Sequence, residues 1–458
     1  MSLSAIAREM GVQVPGLYRY FSGYQALVRH LIADIYAELT ADVATAMDAV
    51  AASPSGSAGE AEQGASLPGA QLIAAAREFR RWALDYPAEF SLVFGTPLPG
   101  MPKRPTLRAD QDLDWTNQQA LGFVAVMFRA FAQLCEWHRF PVPEPDEFGR
   151  GLGAQLAGYA ELLGSRVSPG AMLAFLWCLE IIYGAVMMEV SGHLSFALDD
   201  PAALFECTLA DMAATLGLSY APAARPTSAT LFSSQDLMAD ADRDWAATPA
   251  PGPRSRRGRV RATTTDEIVA TARDLLAREG PQAVSLRAIA REMGLTAPAL
   301  YHYFASHDEL IRHVLAGIFA ELTDEVRRAV QDAAADGDPV VTLAAACHQF
   351  RRWAIGQPAE FALVFSFPLP RPGTAGDPCS GHALRLAATY FGVFLRAGEQ
   401  HAAPVPALTL VRCWALLYGA VAMETFGLLN FAFDDPAPMF ELTIARLAGH
   451  LGLRYPVK

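Results

Sequence analysis

The chain has 458 residues, of which 52% are hydrophobic and 18% are charged, and its net charge is −12. This length suits two to four domains with sizeable cores, and the composition excludes a chain that is disordered throughout. The acidic balance disfavours a surface that is basic all over, although it leaves room for a local basic surface that binds nucleic acid. Six scattered cysteines without a CxxC pair argue against structural zinc or a disulfide framework and fit a reducing cytoplasm.

Two long apolar stretches, 171–190 and 416–433, are the candidates for membrane-spanning helices. Glu180 and Glu189 interrupt the first stretch and Glu424 interrupts the second, so neither is an uninterrupted apolar run of about 18 residues. The chain also does not open with a charged segment followed by an apolar one, as a secretory signal does. We therefore expect a cytoplasmic protein that does not span a membrane.

Most of the sequence occurs twice, in the same order. The repeated blocks are 2–11 and 285–294, 17–21 and 300–304, 37–40 and 320–323, 79–90 and 350–361, and 183–201 and 418–436. The intervening loops differ in length, whereas the order of the blocks does not. The sequence therefore predicts the duplication of a whole two-part unit rather than a short solenoid repeat.

The segment between the two copies, 221–258, is rich in Pro, Ser, Ala and Asp and is predicted to form a flexible linker. A basic run lies at its end and just beyond. Its members are Arg254, Arg256, Arg257, Arg259 and Arg261. This run is a candidate basic arm that lies along a DNA backbone or in a minor groove, and the alternative is the solubilising end of a linker.

Each copy opens with a short helical part, which is complete only in copy 2. Thr265 is predicted to cap its first helix, and Ile268, Leu275 and Leu276 share one apolar face. Gly280 and the proline after it are predicted to end this helix.

Two further short helices follow. Ser285 is predicted to cap the second helix, Gly294 to turn the chain, and Thr296 to cap a third helix that runs to about Tyr303. Ser306 is predicted to cap a fourth. Short helices joined by a glycine turn and preceded by a packing helix form a helix-turn-helix pattern, whose last short helix enters the major groove of DNA. An ordinary helical hairpin is the alternative interpretation.

The third helix carries the candidate DNA contacts of copy 2. Thr296, Ala297, Ala299 and His302 form the predicted base-facing set, and Tyr301 and Tyr303 are candidates for phosphate contact or packing. Pro298 lies in the first turn, where a missing backbone N–H costs little.

Residues 288–294 and 298–304 resemble the DNA-binding domain of the TetR family of bacterial transcriptional regulators, and 5–11 and 15–21 carry the same motif in copy 1. The later FRRWA, PAEF and YGAV blocks resemble the C-terminal ligand-binding and dimerisation region of one TetR subgroup. The resemblance implies an all-α fold of two TetR-like units in tandem, double-stranded DNA as a partner, and a regulator that is not an enzyme.

The resemblance divides the chain into five predicted segments. They are 1–36, a helix-turn-helix domain without its first helix; 37–220, the ligand-binding and dimerisation domain of copy 1; 221–258, the linker; 259–317, a complete helix-turn-helix domain; and 318–458, the ligand-binding and dimerisation domain of copy 2.

Two departures from the family motif weaken the expected DNA contacts. The first residues of copy 1 align with Ser285, so its first helix is expected to be missing; either its reading head is only marginally stable or the true start lies upstream. The family places a phosphate-binding Lys in the first turn of the fourth helix, where copy 2 has His307 and copy 1 has Tyr24. Each lost phosphate contact weakens binding and flattens its salt dependence. His307 is kept as a candidate contact, and the candidates in copy 1 are Gln13, Val14, Tyr18, Arg19 and Tyr20.

The long helical parts are heavily apolar, and most of their aromatic residues are expected to pack in a core. The sharper alternative is that some of them line a pocket for a small apolar ligand. Glu189 and Glu424 interrupt matching apolar helices, and each could equally cap a buried Arg or lie at the edge of an interface. The candidate ligand-binding residues are Trp82, Phe94, Tyr183, Glu189, His348, Trp353, Phe365, Tyr418 and Glu424.

The resemblance also implies a four-helix bundle between two subunits. The helices concerned are predicted at 171–190 and 201–216 in copy 1, and at 408–426 and 436–451 in copy 2. The two copies could pair within one chain as a covalent pseudo-dimer, or two chains could form a homodimer. Pairing within one chain predicts an operator whose two half-sites differ, because the two reading helices differ.

The sequence does not contain the motifs of phosphate-binding loops, dinucleotide-binding folds, zinc proteases or serine hydrolases. The paired acids Asp199 and Asp200 before Pro201, and Asp434 and Asp435 before Pro436, fit a helix N-cap better than catalysis. His138, His193, His401 and His450 are isolated. We therefore predict no catalytic residue, no metal and no cofactor.

The predicted function is that of a DNA-binding transcriptional regulator, in the family's commoner role a repressor, whose operator binding changes with a small apolar ligand. The alternative is a small-molecule-binding or protein-interaction scaffold that has lost DNA binding.

Overall fold

The computed structural model describes residues 19–52, 60–95, 115–194, 200–222, 256–335, 337–367, 378–398 and 405–456, with the single positions 9, 11, 13 and 198. The regular secondary structure of these ranges is α-helical, with one short 3-10 helix at Pro281–Ala283. The predicted all-α fold is therefore confirmed.

Of the seven described helices of copy 1, four begin at a proline. Proline suits a first helical position, since its fixed φ angle is helical and its missing N–H has no partner there. The helices are α1 (Tyr24–Ala52), α2 (Glu60–Asp85), α3 (Pro87–Phe94), α4 (Trp115–Trp137), α5 (Pro145–Leu162), α6 (Pro169–Val190) and α7 (Pro201–Thr215).

Within the described residues, copy 2 repeats this series without a counterpart of α5, and it adds the helices of its short opening part. The helices are α8 (Arg256–Glu279), α9 (Leu286–Glu292), α10 (Ala297–Leu300), α11 (His307–Ala334), α12 (Pro339–Gly356), α13 (Pro358–Ser366), α14 (Pro378–Gly398), α15 (Ala407–Thr425) and α16 (Ala437–His450). The predicted linker lies mostly at 223–255, outside the described residues, and α8 begins at Arg256, three residues before the predicted domain start.

The chain divides into two compact units that do not follow the boundary between the copies. Unit 1 contains Met1–Cys178, Met212–Tyr220 and Gly427–Asp435. Unit 2 contains Leu179–Asp211, Ala221–Phe426 and Pro436–Lys458. Each unit therefore includes a segment of the other copy, and the predicted domain boundaries stay a prediction.

The core of unit 1 is formed where α1, α2 and α4 pack against one another. Leu39 on α1 is fully buried, and Phe79 on α2 contacts Phe94 of α3 edge to face, with ring centroids 5.2 Å apart. Phe123 of α4 lies 5.9 Å from Phe94. Apolar faces at helical spacing account for this packing.

The equivalent helices of unit 2 pack in the same way. Helix α11 contacts α12 and α14, and α12 contacts α14, as α1, α2 and α4 do in unit 1. Phe350 on α12 and Tyr390 on α14 are fully buried where these helices meet. The shared arrangement agrees with the duplication seen in the sequence.

Among the described residues, three helices are long and apolar enough to cross a membrane by length and composition, namely Thr116–Trp137 within α4, α6 and α15. The interrupting glutamates therefore do not remove α6 and α15 as candidates on those criteria. In this structure 89% of the apolar stretch of α6 and 72% of that of α15 are buried, whereas 39% of the apolar stretch of α4 is buried. A helix that is apolar on all sides packs in this way in a large core.

Candidate nucleic-acid interface and the core behind it

The first helix of copy 2, α8, provides the base on which the helix-turn-helix packs. Ile268, Leu275 and Leu276 are buried on one face, as predicted. The predicted start at Thr265 is wrong, because α8 already begins at Arg256. The Thr265 hydroxyl donates to the Arg261 carbonyl oxygen at 2.9 Å inside the helix, which a threonine hydroxyl can do as readily as it can cap.

The second helix, α9, begins and ends where the sequence predicts. The Ser285 hydroxyl accepts a hydrogen bond from the Ala288 N–H at 3.2 Å. Gly294 follows the helix with a φ of +67°, a left-handed conformation that L side chains rarely adopt. The Leu295 N–H then donates to the Ala290 carbonyl oxygen at 2.8 Å, which closes the turn.

The third helix, α10, is a single turn that ends at Leu300, and 301–303 form a hydrogen-bonded turn. The prediction of a helix to about Tyr303 is therefore too long. Thr296 has the extended backbone of an N-cap, but its side chain does not make the predicted capping hydrogen bond. Buried Leu300 and Phe304 anchor the segment to the core.

The predicted DNA-contact residues of the third helix divide by exposure. Thr296, Pro298, Tyr301 and His302 are exposed, and Tyr301 is 57% exposed. Ala297, Ala299 and Tyr303 are half-buried. The exposed members form a polar and aromatic surface beside the glycine turn, where a groove-binding helix presents its contacts.

The basic run lies in α8 from Arg256 onward. Arg259 is exposed, and the Arg261 guanidinium lies 5.5 Å from the centre of the Tyr303 ring, a cation–π distance. Arg254 and the side chains of Arg256 and Arg257 lie outside the described residues. The described part of the run is thus a helical surface next to α10.

The start of α11 is fixed by reciprocal hydrogen bonds, as the sequence predicts for Ser306. Its hydroxyl accepts from the Glu309 N–H at 3.1 Å, and the Glu309 carboxylate accepts from the Ala305 N–H at 2.6 Å. The His307 Nε2 lies 2.8 Å from the Val284 carbonyl oxygen, so it carries the proton and donates. His307 ties α11 to the loop before α9, and its predicted DNA contact stays a prediction.

In copy 1 the structure describes only part of the corresponding surface. Gln13, Arg19 and Tyr20 are exposed, Tyr20 to 81%. Val14 and Tyr18 lie outside the described residues.

An ionic clamp joins the reading head, defined here as α8, α9, α10 and the first turn of α11, to the helices behind it. Arg273 of α8 donates to Glu360 of α13 through Nε at 2.9 Å and Nη2 at 2.7 Å. It also donates to Glu321 of α11 at 2.5 and 2.7 Å, and these bonds raise the pKa of Arg273. Glu360 is 7% exposed, whereas its copy 1 equivalent Glu89 is half-buried.

Sequence reasoning missed this clamp. The carboxylate of the repeated PAEF block was the available signal, but its partner lies 87 residues away.

Two predicted ligand residues of copy 2, Trp353 and Tyr418, lie in a buried aromatic core. This aromatic core of copy 2 is formed by Phe350, Trp353, Phe361, Trp414 and Tyr418. The Tyr418 ring centroid lies 5.2 Å from that of Phe350 and 4.9 Å from that of Trp414, and burial raises the Tyr418 pKa. Phe361 directly follows the clamp residue Glu360.

His193 of copy 1 also reaches this core inside unit 2. Its Nε2 lies 3.0 Å from the Val364 carbonyl oxygen, and its Nδ1 lies 3.3 Å from the Tyr418 hydroxyl oxygen. Burial lowers its pKa to about 4, so the ring is neutral near pH 7. The sequence predicts that His193 is a surface or core residue, and the structure places it in the core.

The polar candidates of copy 2 have partners within the protein. Glu424 accepts two hydrogen bonds of 2.6 Å from Arg351, whose guanidinium lies 5.2 Å from the centre of the Phe440 ring. The Nε2 of His348 lies 3.5 Å from the Glu441 carboxylate, and burial lowers the His348 pKa. Glu424 thus pairs with a half-buried arginine, close to the predicted alternative of an Arg partner.

The other candidates are distributed over both units. Trp82 and Phe94 are buried in unit 1 with ring centroids 6.2 Å apart, and Tyr183 is buried on α6 of unit 2. Glu189 is half-buried near the end of α6, and the Phe365 side chain lies outside the described residues. The structure therefore does not bring the nine together, and their role in ligand binding stays a prediction.

Gly184 of α6 and Gly419 of α15 face each other inside unit 2, at equivalent positions of the two copies. A Cβ atom on Gly184 would lie 2.3 Å from the Ala415 carbonyl oxygen and 2.9 Å from the Gly419 Cα. A Cβ atom on Gly419 would lie 2.5 Å from the Glu180 carbonyl oxygen and 2.9 Å from the Gly184 Cα. Because Ala415 and Glu180 are also equivalent, the contact is reciprocal, as it is around a local two-fold axis.

Two findings bear on the predicted absence of metal and catalytic sites. Among the described residues there is no group of three or more His, Cys, Asp or Glu side chains placed to hold a metal ion. Asp200 accepts from the Ala202 N–H at 2.9 Å, so the predicted N-cap of α7 is confirmed at this residue.

Comparison with known families matches most of both copies. A family model described as "Tetracyclin repressor-like, C-terminal domain" matches residues 72–212 and again 343–447, together more than half of the chain. A second, described as "Bacterial regulatory proteins, tetR family", matches residues 261–314, which cover most of the reading head of copy 2.

Similar proteins are named as transcriptional regulators. The HTH-type transcriptional regulators Mb1846 of Mycobacterium bovis and Rv1816 of Mycobacterium tuberculosis are each 29% identical over 231 residues, which is 43% of this chain and 97% of theirs. The HTH-type regulator Rv0681 of Mycobacterium tuberculosis is 27% identical over 212 residues, which is 44% of this chain and 91% of its own.

Two solved structures are also similar in part. The regulatory protein SCO4313 is 31% identical, with a TM-score of 0.34, over 43% of this chain and all of its own. A TetR family regulator from Streptomyces coelicolor A3(2) is 21% identical, with a TM-score of 0.33, over 41% of this chain and 98% of its own.

Less than half of this chain matches nearly the whole of each curated relative, which agrees with two family units in one chain. The matched families are families of DNA-binding regulators and not of enzymes. The predicted resemblance is confirmed: the chain, a tandem all-α protein with a helix-turn-helix DNA-binding domain, belongs to the TetR family of bacterial transcriptional regulators.

Proposed function

We propose that the chain represses transcription in the cytoplasm, and that a small apolar molecule bound behind the reading head of copy 2 weakens its hold on duplex DNA. The observation that carries this proposal is the Arg273 clamp, which joins α8 of the reading head to α13. A molecule that displaces Phe361 in the aromatic core would also move Glu360 beside it, and with it Arg273. Ligand and DNA would then favour different positions of the reading head, which couples their affinities.

The proposed DNA contacts are those that the exposed surface around α10 supports. Thr296 and His302 are polar and exposed next to the glycine turn, so they are suited to base edges. Arg259 is exposed on the neighbouring helix and is suited to a phosphate.

We further propose that the two copies pair within one chain as a covalent pseudo-dimer. The reciprocal contact of Gly184 with Gly419 supports this pairing, since equivalent residues meet across a local two-fold axis only when two similar surfaces are joined. The two copies carry different residues at their reading surfaces, such as Arg19 in copy 1 and His302 in copy 2. The operator is therefore proposed to have two unlike half-sites.

Selection of bound sequences from a random duplex library, at one stated salt concentration, tests this function with the purified full chain. We expect an asymmetric site of two parts, released when apolar molecules are added. A palindromic site would contradict pairing within one chain, because two copies of the same head would then read it. Failure of folded protein to enrich any sequence would favour the alternative of a scaffold without DNA binding.

A variant that stays folded but lacks two proposed DNA contacts tests whether the surface around α10 reads DNA. The Thr296→Ala/His302→Ala variant keeps the buried anchors Leu300 and Phe304 and should remain folded by circular dichroism. It should lose the enrichment at the half-site read by copy 2. Unchanged enrichment in this variant would show that other residues read the DNA.

A further inference from the structure

The paired helices of the two copies can be compared position by position, because Gly184 and Gly419 set their alignment. Along α6 and α15, Trp177 of copy 1 corresponds to Arg412 of copy 2. Along α7 and α16, Asp211 of copy 1 corresponds to Arg446 of copy 2. Two positions of the duplicated surface thus carry different charges in the two copies.

One residue from each of these two positions takes part in a direct contact within unit 2. The Arg412 guanidinium forms an ion pair with the Asp211 carboxylate, and both side chains are less than a third exposed. Burial raises the pKa of Asp211, and the positive charges of Arg412 and Arg446 act against that rise. Asp211 therefore lies in the field of two arginines from the other copy.

The same geometry predicts what a pairing of two identical copies would bring together. In a pair of copy 2 helices from two chains, Arg446 would occupy the place that Asp211 has here, opposite Arg412 of the other chain. Two guanidinium groups would then meet at a partly buried position, where like charges are costly. In a pair of copy 1 helices, Asp211 would face Trp177 and would lose its ion partner.

We propose that the two copies have diverged into an acidic and a basic half, so that copy 2 pairs with copy 1 and is prevented from pairing with another copy 2. The Asp211–Arg412 pair stabilises the correct combination, and the Arg412–Arg446 opposition excludes the wrong one. Such a combination of attraction and repulsion is a general way to obtain a specific interface. This inference rests on the proposed pairing of the copies and names the residues that select the partner.

Two double variants of the full chain test the inference, and both leave the net charge unchanged. Asp211→Arg/Arg412→Asp exchanges the ion pair, so it should keep the mass of one chain, 49.3 kDa, in light scattering. Asp211→Arg/Arg446→Asp opposes Arg412 within the chain and offers it an Asp partner in a second chain. It should double the mass, or lower the melting temperature by roughly 5 °C or more relative to the exchanged variant.

The outcomes separate this inference from the proposed function. Equal masses and equal melting temperatures of the two double variants would overturn the inference. If the unmodified protein already has the mass of two chains, pairing within one chain is wrong. The melting temperatures of the two variants still decide the inference in that case, because the Arg412 partner matters in either arrangement.

Discussion

Glu180 places a carboxyl group on the apolar helix α6, and only 2% of the residue is exposed. Its oxygens accept hydrogen bonds from the Thr443 hydroxyl at 3.2 Å, and burial raises its pKa to about 8. The unfolded chain loses this proton near the ordinary pKa of about 4.3. Between these two pH values the folded protein binds more protons, so stability decreases as pH rises and levels off above about 8.

Replacement of this carboxyl group should therefore change how stability depends on pH. We expect Glu180→Gln to unfold at the same urea concentration as the unmodified protein near pH 4, and to be more stable by roughly 2–4 kcal/mol near pH 9. Urea unfolding at several pH values measures this difference. Glu38→Gln, at an exposed glutamate of α1, is the control, and equal pH profiles for both variants would contradict the prediction.

Arg259 should contribute to DNA affinity through its charge alone. Affinity for DNA falls as salt rises, and the loss of one phosphate contact makes the slope of log affinity against log salt less steep by about 1. It also weakens binding to all sequences alike. We expect this result for Arg259→Ala in salt titrations with the selected duplex. Arg454→Ala removes an exposed arginine near the C-terminal end of copy 2 and should leave the slope unchanged.

Single residues that act locally could be predicted from the sequence, and those with distant partners could not. Ser285, Ser306 and Asp200 cap the helices next to them, because a cap needs only residues within one helical turn. Arg351 and Glu424 form an ion pair across 73 residues, and no local pattern joins them. The sequence leaves three interpretations of Glu424 open: ligand contact, pairing with a buried Arg, and an interface edge.

At the scale of helices, the contact between α8 and α13 depends on the Arg273 clamp. Removal of the guanidinium leaves the buried Glu360 without its ion partner, which typically costs about 3–5 kcal/mol for a buried pair and less here, where Arg273 is partly exposed. We expect Arg273→Ala to lower the melting temperature and to uncouple DNA release from ligand. Thermal unfolding and DNA binding with and without ligand measure both effects.

The control for the clamp is the exposed ion pair between Arg278 and Glu292, which also joins α8 to its neighbour. Arg278→Ala should change stability little. An Arg273→Met/Glu360→Met variant should recover much of the stability but not the coupling. If it also recovers the coupling, the clamp is a structural contact only.

Helices α6 and α15 approach closely because both crossing residues are glycines. A Cβ atom at Gly184 would lie only 2.3 Å from a backbone oxygen, so the two helices would have to separate. We expect Gly184→Ala to destabilise unit 2 by roughly 1–3 kcal/mol, a usual cost of overpacking. Gly317→Ala, at a glycine of α11 with open space around it, should instead stabilise by about 0.5–1 kcal/mol. Thermal unfolding of both variants decides, and equal shifts would contradict the argument.

The limits of sequence prediction for helices appear at α8 and α10. The sequence predicts the apolar face of α8 correctly, whereas it places the start of the helix nine residues late, since Thr265 suits a cap and a helix interior equally. Helix α10 was predicted too long, because a short apolar pattern does not fix where a single turn ends. Buried Leu300 and Phe304 determine that end through tertiary packing.

For the whole molecule, the repeated blocks were sufficient to predict the duplication and its family. They were not sufficient to predict which residues meet between the copies. Asp211 and Arg412 are 201 residues apart, and their opposite charges become meaningful only when α7 and α15 are packed together. Local sequence patterns describe helices, whereas the partner of a helix is decided by its packing surface.

The exchange of segments between the units has a consequence for synthesis on the ribosome. Unit 1 contains Gly427–Asp435, which are translated about 200 residues after Tyr220. At roughly 5–20 residues per second, this segment emerges about 40 seconds after the rest of unit 1 at the slowest rate and about 10 seconds after it at the fastest. The first half of the nascent chain must therefore wait, with part of its surface uncovered, until the second half is nearly finished.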